Sequence, residues 1–168
     1  LWAMIETPRS VLDVGRIAAA SDRLAVLVMG TNDLVKELDA QHLPGRVPIV
    51  PALALAVLSA KASGLFIIDG VYNDVRDPEG FAVECAQGRS MGFDGKTLIH
   101  PDQVGPCNEA FSPSDEQVAD ARGLIDAFDA AVAEQKAVAT YKGKLVEHLH
   151  VTMAEKVLAT REAIDLLG

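Results

Sequence analysis

The sequence predicts an α/β fold of four β/α units, half the complement of an eight-stranded barrel, followed by a helical tail. Three observations predict it. Short, almost continuously apolar runs alternate with segments of helical pattern, as in βαβ units whose parallel sheet is covered on both faces. The alternation stops near Pro106 and gives way to helical periodicity alone. The strands are followed by polar or acidic residues, namely Glu6, Asp33, Asp69 and His100. Barrel enzymes build their active sites at the C-terminal ends of their strands. Four parallel strands can also form a small open sheet. The strand-end chemistry favours the barrel, whose complete form needs about 250 residues.

Taken in order, residues 1–6 (LWAMIE) read as the first strand and 8–20 as a helix opened by Pro8. Residues 23–30 (RLAVLVMG) are the second strand, followed by a short helix near 34–38. Residues 48–62 are apolar nearly all round, which suits a buried helix. Gly64 precedes a third strand at 65–69 (LFIID); a helix at 78–91 and a fourth strand at 95–100 (GKTLIH) complete the series. In the tail, Ser114 and Gln117 fit a capping box. Val118, Ala121, Leu124, Ile125, Phe128 and Val132 then form one apolar stripe at helical spacing. A break follows at ATYKGKLVEHLH. The last helix is predicted over 151–167, with Val157, Leu158 and Ile164 as its buried face. The division falls between residues 1–111 and 112–168.

Composition narrows the function. The 168 residues are 49% hydrophobic and carry a net charge of −9. An acidic chain without a Lys/Arg cluster disfavours duplex nucleic acid, whose phosphates require a basic face. No apolar run approaches the ~20 residues that span a bilayer, and no basic segment leads into an apolar run and a cleavage site. Cys85 and Cys107 have neither metal-ligand nor disulfide-scaffold spacing. They are expected to be reduced thiols of a cytoplasmic protein. The chain begins with Leu1 rather than methionine, so an upstream half of the barrel is expected in the full protein.

Glu6 and Asp33 lie 27 residues apart, one β/α unit, and therefore belong to adjacent strands. Carboxylates converging there can hold a hard divalent cation. Mg²⁺ takes oxygen ligands from one or two carboxylates and completes its shell with waters and substrate. A strand-end Asp also caps helices, and Asp69, followed by Gly70, suits a turn or a supporting role equally well.

The segments MIETPRSVLDVGRIAAAS, VMGTNDL, IIDGVYNDVRDPEGF and GFDGKTLIHPDQV occur in this order. Together they resemble the citrate lyase β-subunit/malyl-CoA lyase family, related to the metal-dependent 2-keto-acid aldolases. The resemblance covers essentially the whole chain. It implies the second half of a (β/α)₈ TIM barrel over 1–111 and a helical lid and oligomerisation segment over 112–168, assembled as a homotrimer or hexamer. It implies Glu6 and Asp33 as ligands of Mg²⁺, which Mn²⁺ can replace. It implies that backbone amides around Gly30, Thr31 and Asn32 meet the carboxylate of an oxo acid, and that Lys96 and His100 help to bind coenzyme A. His100 also reads as a structural histidine before Pro101.

The tail segment KGKLVEHLHVTMAEKVLA resembles the lid in which lyases of this family place a catalytic carboxylate. There it reaches the active site of a neighbouring subunit. The equivalent residue is Glu147, where the family's usual residue is Asp; the extra methylene moves the carboxylate by about 1 Å. Glu147 also reads as a solvated loop residue, and His148 and His150, two positions apart, read as surface residues. The family's substrate-clamping arginine belongs to the first half of the barrel, and Arg9, Arg16 and Arg46 do not match it. The activity implied is Mg²⁺-dependent carbon–carbon cleavage of a 3-hydroxyacyl-CoA thioester, such as citryl-, malyl- or citramalyl-CoA, to an acyl-CoA and an oxo acid. The alternatives are an aldolase on free hydroxy-keto acids and a non-catalytic half-barrel binding module.

Overall fold

Four parallel strands, β1 (Trp2–Ile5), β2 (Val26–Met29), β3 (Phe66–Asp69) and β4 (Gly95–Lys96), form one open sheet in the order β1-β2-β3-β4. The computed structural model describes residues 1–167 and contains two compact units, Leu1–Phe111 and Ser112–Gly168. In the first unit the strands alternate with α1 (Pro8–Leu12), α2 (Val14–Ala18), α3 (Thr31–Glu37), α4 (Val50–Ala62), α5 (Pro78–Met91) and α6 (Val104–Phe111).

Successive strand residues point to opposite faces, and the register sorts them into two sets. Ile5, Leu27, Met29 and Ile67 face the helices and pack with Val11, Val14, Leu53, Ala56, Ala60 and Phe93 in the main core. The other face carries Trp2, Met4 and Phe66, which keep 70%, 50% and 61% of their surface exposed. The helix-covered face is therefore finished, whereas the opposite face is apolar and leaves those β1 and β3 side chains exposed, with only Val26 and Val28 of the central β2 buried there.

Four expectations about this unit need correction. Residues 8–20 form two short helices rather than one, because Asp13 (φ −97°, ψ 8°) leaves the helical region. Asp and the nearby Gly15 are both poor helix formers. The short helix at 34–38 begins earlier, at Thr31. The fourth strand ends at Lys96, well short of residue 100, where the chain turns into a 3₁₀ segment at Pro101–Gln103. Helix α4 is buried on one side only, through Leu53, Ala56, Val57 and Ala60; Leu55 and Leu58 face outward.

In the second unit α7 (Asp115–Ala133) starts at the Ser114–Gln117 capping box, in which each residue's backbone N–H donates to the other's side chain. Val118, Ala121, Phe128 and Ala131 are buried. The predicted stripe misplaces its end, since Val132 is exposed and Ala131 takes its place. The predicted break is a β-hairpin, β5 (Ala139–Tyr141) with β6 (Lys144–Val146). Its two-residue turn places both Lys142 (φ 47°) and Gly143 (φ 75°) in the left-handed region, as a type I′ turn requires. Helix α8 (His148–Asp165) buries Val151 and Ala154, with Val157 and Leu158 half-buried and Ile164 exposed. The helix is gripped at its start because Val151 packs with Phe128, Ala131, Ala139 and Val146.

Candidate functional site

Glu6 follows β1 directly and takes the parity of Trp2 and Met4, so it belongs to the uncovered face rather than the helix face. Its backbone is pinned by local chemistry. Thr7 caps α1 by accepting from the Ser10 backbone N–H at 3.1 Å, and the Ser10 hydroxyl accepts from the backbone N–H groups of Glu6 (3.1 Å) and Thr7 (3.0 Å). Pro8 at the first helical position is already set for the helix. The T-x-x-S spacing was a readable signal for this cap.

The neighbouring strand ends in Gly30, whose backbone N–H donates to the Ile5 carbonyl at 3.0 Å. A Cβ at position 30 would lie 2.6 Å from Glu6 Oε2 and 3.1 Å from Met4 Cε. The glutamate thus lies across the bare backbone of Gly30, in space that any side chain would fill. Gly30 is the N-cap position of α3 and supplies no capping side chain. Asp33 stands in the first turn of that helix and is exposed. It is not the cap, so its carboxylate is not engaged in the way a strand-end Asp commonly is. Thr31 is buried, and a Cβ at Gly70 would collide with its side chain. The Asn32 and Asn73 carboxamides donate to each other, at 2.9 and 2.7 Å.

Asp69 and Lys96 occupy the opposite face. They are register partners on β3 and β4, which sets both side chains on the helix side, and Asp69 is completely buried. Asp69 accepts from Arg46 Nη1 at 2.7 Å, from the Gly70 N–H at 2.8 Å and from Lys96 Nζ at 3.2 Å. Lys96 Nζ also donates to Glu84 at 2.6 Å, and Arg46 Nε donates to Gln87 at 2.8 Å. Two cations thus meet two carboxylates out of water. The Lys96 ammonium, expected from the sequence to serve coenzyme A at the barrel mouth, is enclosed here and held by two acids. A cleft of about 540 Å³ beside this network is lined by Arg46, Tyr72, Asp77 and Gln87 and contains neither Glu6 nor Asp33.

His100 is exposed and caps the 3₁₀ segment, its Nδ1 accepting from the Asp102 N–H at 3.2 Å. Glu147, in the second unit, is the exposed N-cap of α8, and its backbone N–H donates to His150 Nδ1 at 3.0 Å. His150 is therefore a capping residue, not the plain surface histidine expected from the sequence. Cys85 and Cys107 are free, buried thiols that hydrogen-bond to each other, which raises the first and lowers the second.

The HpcH/HpaI aldolase/citrate lyase family matches residues 1–101. The chain belongs to this family. A (3S)-malyl-CoA thioesterase of Cereibacter sphaeroides (strain KD131) is 50% identical over 164 residues, covering 98% of this chain and 57% of that protein. The citrate lyase β subunit of Escherichia coli (strain K12) is 32% identical, covering 96% of this chain and 54% of that protein. Among solved structures, CitE from Mycobacterium tuberculosis in complex with magnesium, acetoacetate and coenzyme A superposes with a TM-score of 0.78 at 27% identity. That match covers 95% of this chain and 60% of the other. The chain thus spans little more than half the length of the relatives it matches.

Set within the HpcH/HpaI aldolase/citrate lyase family, the pair of acids has the donor chemistry for a hard cation. The space over Gly30 is open to the Glu6 carboxylate, and Asp33 stands on the next turn. Among the described residues no group of three His, Cys, Asp or Glu side chains converges as a metal-binding cluster. Two carboxylates suffice for Mg²⁺, which keeps several waters and takes substrate oxygens into its shell. Among the described residues no helix is long and apolar enough to cross a membrane.

Proposed function

We propose that the intact protein is a Mg²⁺-dependent enzyme acting on the coenzyme A thioester of a small hydroxy dicarboxylic acid, of the malyl-CoA type, and that it hydrolyses the thioester. The observation that carries this reading is the Glu6 carboxylate lying across Gly30, beside the turn that bears Asp33. The 50% identity to a (3S)-malyl-CoA thioesterase supports the choice of substrate and reaction. A second reading, carbon–carbon cleavage to an acyl-CoA and an oxo acid, is supported by family membership and by the likeness to citrate lyase β subunits.

In this reading Glu6 and Asp33 hold the ion and fix its place at the strand ends. When bound, Mg²⁺ supplies Lewis acidity and a template for the substrate's oxygens. Beyond Gly30, whose own N–H is held by the Ile5 carbonyl, the backbone N–H groups of Thr31 and Asn32 receive the free carboxylate of the substrate. His100, exposed at the start of the 3₁₀ segment that follows β4, contacts coenzyme A. Glu147 takes or returns the proton, as base toward water in hydrolysis or as acid toward the enolate in carbon–carbon cleavage. It does so from the lid of a neighbouring subunit in a trimer or hexamer. The uncovered apolar face of Trp2, Met4 and Phe66 supports a (β/α)₈ barrel in which the remaining strands close over this sheet, since parallel sheets are covered on both faces.

The test is to incubate the full-length protein with (3S)-malyl-CoA and Mg²⁺, following free thiol and released oxo acid separately. Thiol without oxo acid supports hydrolysis. Oxo acid without thiol supports the second reading. Neither product, with Mn²⁺ binding intact, would reject both in favour of a free-acid aldolase or a binding module.

A further inference from the structure

We propose that Asn73 is a positioning residue for the metal-bearing turn, acting through Asn32. The inference rests on the reading of Glu6 and Asp33 as the metal pair. The turn Gly30–Asp33 leads from β2 into α3, a helix with no side-chain cap. The turn's backbone is tied to β1 and into the helix, by the Gly30 N–H to the Ile5 carbonyl and the Leu34 N–H to the Gly30 carbonyl, both at 3.0 Å. The side-chain contacts that hold it come from the next β/α loop. Thr31 is buried against Gly70, where even a methyl group would strike its side chain. One residue on, Asn32 and Asn73 pair through both carboxamides, each donating once and accepting once. These two contacts hold the two residues before Asp33 and tie its turn to the loop after β3.

The pairing is reciprocal, which limits what can replace it. A carboxamide is the one neutral side chain of this length that offers a donor and an acceptor side by side. Alanine at either position removes both bonds at once, so the two single changes and the double change should have equal effects. Asn32 and Asn73 are both exposed, so losing the pair leaves no buried polar group unsatisfied and global stability is spared. The effect should appear instead in the geometry of Asp33 relative to Glu6. Groups that orient a metal ligand are worth a measurable share of metal affinity.

The experiment is an electron paramagnetic resonance titration of Mn²⁺ on the intact protein for wild type, N73A, N32A and N32A/N73A, with E6Q and D33N as controls and thermal unfolding of each variant. The expected result is that all three asparagine variants lose the same factor, about three- to tenfold, in Mn²⁺ affinity, corresponding to net hydrogen-bond contributions of about 0.5–1.5 kcal/mol. Their unfolding midpoints should stay at the wild-type value. Wild-type affinity in N73A, with affinity lost in E6Q, would overturn the role of Asn73 and leave the metal pair standing. A double variant whose loss is the product of the two single losses would also overturn it, by showing that Asn73 does not act through Asn32. Unchanged affinity in both E6Q and D33N would reject the metal pair itself, and the inference with it.

Discussion

Two acids end strands of the same sheet, Glu6 after β1 and Asp69 on β3, and their fates are opposite. Asp69 has the parity of Ile67 and points among the helices, where it is fully buried and bonded to Arg46 and Lys96. Glu6 has the parity of Met4 and lies on the other face, half-buried, with its carboxylate over a bare glycine. A carboxylate with two cationic partners and a backbone N–H is satisfied and has no capacity left for a ligand. One set over glycine beside an open face retains that capacity. Position at a strand end therefore does not leave an acid open to a ligand; the face on which it lies decides that.

The most forceful way to break this comparison is to remove the buried acid. Asp69→Ala leaves Arg46 and Lys96 facing Glu84 alone in the interior, and an uncompensated buried charge costs about 3–5 kcal/mol. Chemical denaturation should show a loss of that size, whereas a loss below about 1 kcal/mol would mean that the network is not structural. Gly30→Ala acts on the other face. Gly30 has φ −93°, which alanine adopts freely, so its effect is steric: the new methyl group strikes the Glu6 Cβ as well as its carboxylate and pushes the whole side chain away. We expect a cost of about 1–3 kcal/mol in stability and at least a tenfold loss of Mn²⁺ affinity, in the range seen when groups around a metal ligand are altered. Unchanged affinity would mean that the glutamate does not need the space.

The smallest effect concerns a surface pair that belongs to neither acid. The Tyr72 hydroxyl donates to Asp77 at 2.6 Å. That bond, with burial adding to it, raises the phenol to about 12 and, together with the Gly80 N–H, lowers the Asp77 carboxyl below its ordinary 3.8. The lowered carboxyl adds stability above pH 3.8 that is lost as pH falls through its folded value. The raised phenol adds stability below pH 10 that is lost as pH rises toward about 12. Tyr72→Phe should flatten both limbs of the pH–stability curve and leave Mn²⁺ affinity unchanged. An unaltered acid limb would show that the Gly80 contact alone holds Asp77.

Much of this arrangement was legible in the sequence. The apolar runs placed the first three strands and the start of the fourth, and the IET and GTNDL segments marked Glu6, directly after β1, and Asp33, in the first turn of α3. What the sequence obscured depended on pairing. The residues of GKTLIH look alike as strand or turn, and only the register Asp69–Lys96 shows that the lysine faces inward. The hairpin at Lys142–Gly143 was hidden because a lysine, rather than Asn or Asp, occupies the first left-handed position. Ile164 matched the helical period of α8 but lies beyond the stretch that α7 and the hairpin cover. The roles of Asn73 and His150 could not be read because each acts through a partner whose proximity only the fold creates.

The central claim is that Glu6, and not Asp69, is the strand-end acid that meets the metal. The measurement that tests it most directly is Mn²⁺ affinity of the full-length protein with Glu6→Gln, a change of nearly equal volume that removes the charge. The account predicts a loss of two orders of magnitude or about that, with the unfolding midpoint unchanged. Wild-type affinity in Glu6→Gln would contradict it and return the site to the other acids of the chain.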